Sequence, residues 1–277
     1  MENTLRPLST GELFDSTFTL YRKHFALFFG VAALPYLLIL LFQLGVLSLT
    51  MLSLGTAGIV ITAVSGLLFL VVYLVSIAFT QGASFFAVSA VHLNEPITIA
   101  EAFGRMKSHI GEVIGTMMLV GLLTFLGMLA LIVPGIIVAL GAALAVPAAL
   151  FEQLNPWDAF QRSMKLTKGH RGTVFLVYLL MWAIKFGMGL LLGVVLVLMG
   201  GIKGPGALTV GIQVVQNVLD FGLNALTAPI VSISMTLLYY DLRVRKEAFD
   251  LQHMMNVLAT RQPAMQAAQA AGSAGNS

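Results

Sequence analysis

Cysteine is missing from this 277-residue chain, which excludes disulfides, thiolate metal sites, a cysteine nucleophile and a lipid-modified cysteine anchor. Charge is almost as scarce: 10% of the residues are charged against 58% hydrophobic, where soluble domains carry about 25% charged residues. So few charges cannot cover a soluble protein of this length, whereas in lipid the apolar excess needs no cover. The sequence also lacks HExxH, GxSxG and phosphate-binding glycine motifs. Asp220-Phe221-Gly222 spells a kinase tripeptide, but it falls in an apolar stretch without HRD or VAIK companions. His24, His92, His109, His170 and His253 are scattered without metal-ligand spacing. No cofactor and no metal are expected. Residues 1–24 carry Glu12, Asp15, Arg22 and Lys23 among scattered apolar positions. They lack the organisation of a cleaved signal, so the N-terminus is expected to be retained.

What the chain does have is long apolar runs. A helix needs about 20 apolar residues to cross the ~30 Å hydrocarbon core. The runs predict an all-α membrane protein with one domain over 1–261 and six spans, near 25–49, 58–91, 111–133, 136–151, 173–199 and 207–240. Turns are expected at 53–57, at Pro134-Gly135 and at 200–206, where glycine and proline punctuate the pattern. The fourth span is short and alanine-rich, which predicts a helix packed inside protein. The second and sixth are overlong and should tilt, bend or project, with Pro229 a kink site in the sixth.

Apart from Lys185 and Lys203, every one of the 15 Lys and Arg residues falls in segments 1–24, 92–109, 151–171 or 241–261. The spans place these segments on one side. Since positive charge is retained in the cytoplasm, both termini are expected there. Three of the segments share a pattern: Ser9 with Glu12 and Phe14, Thr98 with Glu101 and Phe103, and Asn155 with Asp158 and Phe160. A capping residue followed three positions later by an acid is a helix-start signature. Each segment leads into a pair of spans, which predicts three repeats of a short amphipathic helix plus a helical hairpin. Phe14 with Phe18, Phe103 with Met106, and Phe160 with Met164 are expected either to dip into the membrane surface or to pack on the bundle. The tail predicts an amphipathic helix over 241–259, with Val244, Ala248, Leu251, Met255 and Leu258 on one face, followed by disorder over 262–277.

The basic segments nominate Arg22, Lys23, Arg105, Lys107, Arg162, Lys165, Lys168, Arg171, Arg243, Arg245 and Lys246 as contacts to anionic lipids of the cytoplasmic leaflet. A protein partner or a second copy of the chain is the other expected contact; nucleic acid is not. Charge inside a span is the other lead. Lys185 and Asp220 lie about 20–25 Å from the 200–206 loop along their helices, so they are expected to meet. Asp220 shares one helix face with Gln213, Gln216, Asn217, Asn224 and Thr227. That face reads either as a structural polar seam or as a path for a proton, an ion or a lipid headgroup. Gly111-x-x-x-Gly115 and Gly189-x-x-x-Gly193 are expected to allow close helix contact.

Leu8-Ser9-Thr10-Gly11-Glu12-Leu13-Phe14-Asp15 with Leu20-Tyr21-Arg22-Lys23-His24-Phe25, the stretch from Ala159 to His170, and Tyr239-Tyr240-Asp241-Leu242-Arg243-Val244-Arg245-Lys246-Glu247-Ala248-Phe249-Asp250-Leu251 together resemble a family. It is the six-span bacterial membrane domain associated with some glycerophosphoryl diester phosphodiesterases. The resemblance covers about 5–255 and implies a bacterial cytoplasmic membrane. It does not imply the hydrolase, because catalysis there belongs to a separate soluble barrel of about 250 residues. His170-Arg171-Gly172 and Glu2-Asn3-Thr4 match that barrel's HRG and ENT motifs by coincidence, in reversed order. The expected function is that of a non-catalytic multi-pass membrane protein organising lipids or partner proteins through its basic helices. The alternative is a transporter or lipid-moving protein that uses Lys185, Asp220 and the polar face of span 6.

Overall fold

The structure is a computed structural model that describes residues 9–52, 56–198 and 207–274. Every element among them is a helix: α1 (Thr10–Lys23), α2 (Phe25–Leu52), α3 (Thr56–His92), α4 (Ile99–Lys107), α5 (Ile110–Ala130), α6 (Ile132–Gly141), α7 (Ala145–Glu152), α8 (Pro156–Thr167), α9 (Arg171–Leu198) and α10 (Ala207–Ala274). Six segments are long and apolar enough to cross a membrane: Phe25–Met51, Gly58–His92, Ile110–Ala130, Ile132–Glu152, Arg171–Leu191 and Val210–Glu247. The connections predicted at 53–57 and 200–206, Lys203 included, fall largely outside the described residues.

The short helices α1, α4 and α8 begin as their sequences predict. Ser9 and Thr98 each accept a hydrogen bond from the backbone amide of the glutamate three residues on, at 3.3 Å. The glutamates return a 2.8 Å bond to the cap's own amide. Asn155 accepts from the Asp158 amide at 3.0 Å, and Pro156 fills the first helical position, where no amide is needed. The fourth and eighth residues after each cap are buried: Leu13 and Thr17, Ala102 and Met106, Ala159 and Ser163.

Glycines on the membrane-spanning segments receive these short helices. Met106 fills the place a Cβ of Gly82 would occupy, Met164 that of Gly141, and Ile99 that of Gly30. Phe103 packs on Phe79 with ring centroids 6.1 Å apart. Met106, Met164 and Phe103 therefore take the packing reading rather than the membrane-dipping one, because small residues on the spans leave room for them. Gly111, Gly189 and Gly193, by contrast, have nothing within 4 Å of a would-be Cβ, and Gly115 meets only Pro156. The GxxxG pairs do not join spans among the described residues.

The α5–α6 turn departs from the prediction. It lies at Leu131, the one residue between the helices, in extended conformation. Pro134 falls within the first turn of α6, where a missing N–H costs no helical bond. Close approach at the hairpin comes from Gly127 against Gly135, whose Cβ would lie 2.3 Å from Met128 Cγ and 2.7 Å from Met128 N. With the turn moved, the fourth span lengthens to Ile132–Glu152, 21 residues, so it is no longer short. It is instead broken into α6 and α7 at 142–144, where Ser163 of α8 donates to the Gly141 carbonyl (2.7 Å) and accepts from the Leu144 amide (3.0 Å). At the other end of the chain, the backbone of α10 continues helically to Ala274 where the sequence predicted disorder from 262. The Ala/Gln-rich segment has high helix propensity.

Buried residues concentrate at the end of the bundle that holds α1, α4, α7, α8 and the 230–242 stretch of α10. We refer to this as the basic end. Toward the opposite, far end, α2, α3, α9 and α10 present mostly exposed apolar side chains such as Leu49, Ile59, Leu191 and Val215. Tyr21 of α1 ties the two zones: its hydroxyl donates to the Leu226 carbonyl at 3.0 Å, three residues before Pro229, where proline weakens the backbone ladder.

Substituting Gly135→Ala should lower stability by about 1–3 kcal/mol through overpacking against the α5 backbone, while Gly11→Ala, with open space around it, should not. Thermal unfolding in detergent checks the contrast.

Candidate functional site

Two clusters bring together the nominated residues. At the basic end Glu152, at the end of α7, accepts from Arg162 Nε (2.9 Å) and from the Tyr239 hydroxyl (2.7 Å). Arg162 also donates to Glu247 (2.7 Å), which Arg243 reaches at 3.0 Å. Lys246 Nζ donates to the Lys165 and Lys168 carbonyls at the end of α8, and Arg245 pairs with Asp241 at 2.8 Å. The network clamps α7 and α8 to α10. Burial opposes the Arg162 charge, but the two carboxylates outweigh it and hold the guanidinium charged more firmly than usual. Beneath the clamp lies an aromatic cluster: Tyr240 bonds Ser89 (2.8 Å) and stacks on His92 and Phe151, while Phe86 contacts Phe151 and His109.

The eleven cations nominated from the sequence thus divide. Arg162 and Lys246 tie helices together, Arg243 and Arg245 pair with acids of α10 itself, and Arg171, half-buried at the start of α9, lies against Gly141. Arg22, Lys23, Arg105, Lys107, Lys165 and Lys168 are exposed. The side chains of α10 beyond Glu247, including the predicted face through Ala248 and Leu258, lie outside the described residues.

The second cluster lies midway along the bundle. Lys185 of α9 and Asn217, Asp220 and Asn224 of α10 line one cavity of about 340 Å³. Lys185 Nζ donates to Asn224 Oδ1 at 3.0 Å, and Asn224 Nδ2 donates to the Asp220 backbone carbonyl at 2.8 Å. The expected Lys185–Asp220 ion pair does not form among the described residues; the shorter Asn224 takes the ammonium, one turn along the same face. Three polar lining residues were not nominated from the sequence: Tyr36 and Gln43 of α2 and Tyr73 of α3. Tyr36 and Gln43 lie seven residues apart on one face of α2, a sparser pattern than the polar stripe of span 6, and Tyr73 stands in a largely apolar run. Gln43 and Asn217 also line a second cavity of about 530 Å³, with Gln213, Thr50, Thr62 and Ser65 toward the far end. Gln216 is exposed and lines neither of these cavities, and Thr227 is buried and bonds the Leu223 carbonyl.

Comparison with protein-family models, curated proteins and solved structures finds no match. The functional reading therefore rests on these two clusters.

Two outcomes follow. Arg162→Gln should cost about 1.5–3 kcal/mol, the range for hydrogen bonds to charged groups, and thermal unfolding should register the loss without a change in helical content. The amide and then the hydroxyl of Thr98 hold the Glu101 carboxyl below the usual carboxylate range. Its contribution is complete above the unfolded value and is lost as pH falls through the depressed one. Acidification should fray α4 in wild type, and Glu101→Gln should remove that pH dependence; hydrogen exchange at α4, corrected for intrinsic rate, reads both.

Proposed function

We propose that this protein is a non-catalytic, multi-pass membrane protein that organises anionic lipid at its basic end, built from three units of a short amphipathic helix plus a hairpin. The observation that carries the proposal is the division of the cations. Those on the inner faces of α8 and α10 are consumed by the Glu152 and Glu247 network, whereas Arg22, Lys23, Arg105, Lys107, Lys165 and Lys168 stay exposed on three different short helices. Each of these helices is capped, packed by one face and joined directly to a membrane-length helix. Charges held in this way beside a bilayer meet phosphates without first ordering a flexible segment, and each basic residue near an anionic surface contributes about 1 kcal/mol.

On this reading the basic end faces the cytoplasm of a bacterium, where retained positive charge and anionic headgroups coincide. The resemblance to membrane domains associated with phosphodiesterases fits the same topology and contributes no reaction. The exposed cations come from helices far apart in sequence, so lipid gathered on them is drawn to one face of the protein.

In discs formed from a phosphatidylethanolamine and phosphatidylglycerol mixture, the wild type should enrich phosphatidylglycerol. Substituting Arg105, Lys107, Lys165 and Lys168 together by Gln should reduce that enrichment by at least about fivefold at low salt. Enrichment unchanged in the fourfold variant, with helical content intact, rejects the proposal.

A further inference from the structure

The mid-bundle cavity supports a second inference that is independent of the basic end. Its two charges are incompletely matched. Lys185 spends one of its three donors on Asn224. The Asp220 carboxylate accepts no hydrogen bond and joins no contact ion pair among the described residues, although it lies within electrostatic reach of Lys185, and both side chains are exposed to the cavity region rather than packed away. Charged groups at this depth in a membrane are costly unless something polar meets them. A lone cation would satisfy Asp220 and be repelled by Lys185, and a lone anion the reverse. The occupant that satisfies both carries a negative and a positive group joined by a short link.

A second feature fixes the rest of that occupant. Lys185 stands at the junction of the polar cavity and an apolar groove along α9, where Trp182, Phe186, Leu190 and Val194 flank Gly189 and Gly193. From Lys185 to Val197 the groove extends for about 18 Å of helix, long enough for an extended acyl chain. Gly189 and Gly193, whose GxxxG spacing suggested helix pairing, form its floor, since no described side chain comes within 4 Å of where their Cβ atoms would lie. Around the charges, the hydroxyls of Tyr36 and Tyr73 and the amides of Gln43 and Asn217 offer neutral hydrogen bonds. At about 340 Å³ the cavity is within the range of small-ligand sites.

We propose that the cavity binds the headgroup of a zwitterionic phospholipid, its phosphate on Lys185 and its ammonium on Asp220, with an acyl chain laid along α9. The second cavity shares Gln43 and Asn217 with the first.

The test is native mass spectrometry of the full-length protein, offered phosphatidylethanolamine, its N-acetyl derivative (which keeps the phosphate and loses the ammonium) and diacylglycerol, which lacks both. The unaltered protein should retain phosphatidylethanolamine about tenfold better than the N-acetyl lipid, and diacylglycerol least. Asp220→Asn should erase the preference between the first two, and Lys185→Gln should lower retention of both phosphate-bearing lipids toward that of diacylglycerol. Equal retention of the amine and the N-acetyl lipid by the wild type overturns the proposal without any variant needing to fold. A preference that survives Asp220→Asn overturns it as well, and would leave the pair as a structural seam. Because the basic-end test compares phosphatidylglycerol enrichment, failure of either proposal leaves the other standing.

Discussion

In a bilayer, apolar surface gains nothing by leaving the solvent, because the solvent is apolar too. Helices hold together through close contact and interhelical hydrogen bonds instead. That constraint explains where this protein is firm. At the basic end, glycines at 30, 82 and 141 let side chains from the short helices reach the backbones of the long ones. Hydroxyls and carboxylates then bond across elements: Tyr21 to Leu226, Ser163 to Gly141 and Leu144, Tyr239 and Arg162 to Glu152. At the far end such contacts thin out, and the apolar faces of α3 and α9 are left to lipid.

The two proposals follow from this division. Where polar groups are satisfied by the fold, the remaining cations are left exposed, and the lipid proposal rests on them. Where packing is open, polar groups from α2, α3, α9 and α10 meet around a cavity without fully satisfying one another. A helix that runs unbroken from Ala207 past Glu247 carries residues of both regions, so the clamp and the cavity are built on one rod.

Much of the fold was legible because hydropathy and capping are local signals. The positions of the membrane-length helices and the helix starts at Ser9, Thr98 and Asn155 needed no knowledge of neighbours. The turn at Leu131 was not legible: Pro134-Gly135 suits a turn or a first helical turn equally, and only the meeting of Gly127 with Gly135 decides between them. Charge counting found the basic end but could not tell Arg162, which is tied to two glutamates, from Lys165, which is exposed. Periodicity found Asp220 and Asn224 on span 6. Tyr36 and Gln43 share a face of α2 at a spacing of seven, but so sparse a pattern names no partner, and the place of these two and of Tyr73 at the cavity depends on how α2 and α3 pack beside α10.

The one-residue turn at Leu131 has a further effect. Leu129, Leu131, Ile132 and Val133 make the tip of the α5–α6 hairpin apolar and exposed, with no polar loop to anchor it in water. From Ile110 to that tip α5 rises about 30 Å, close to the depth of an average hydrocarbon core. The hairpin therefore acts as a ruler. In a thinner bilayer its tip would be pushed into the headgroups at a cost of a fraction of a kcal/mol per ångström, which favours residence in membranes at least as thick as the hairpin is long.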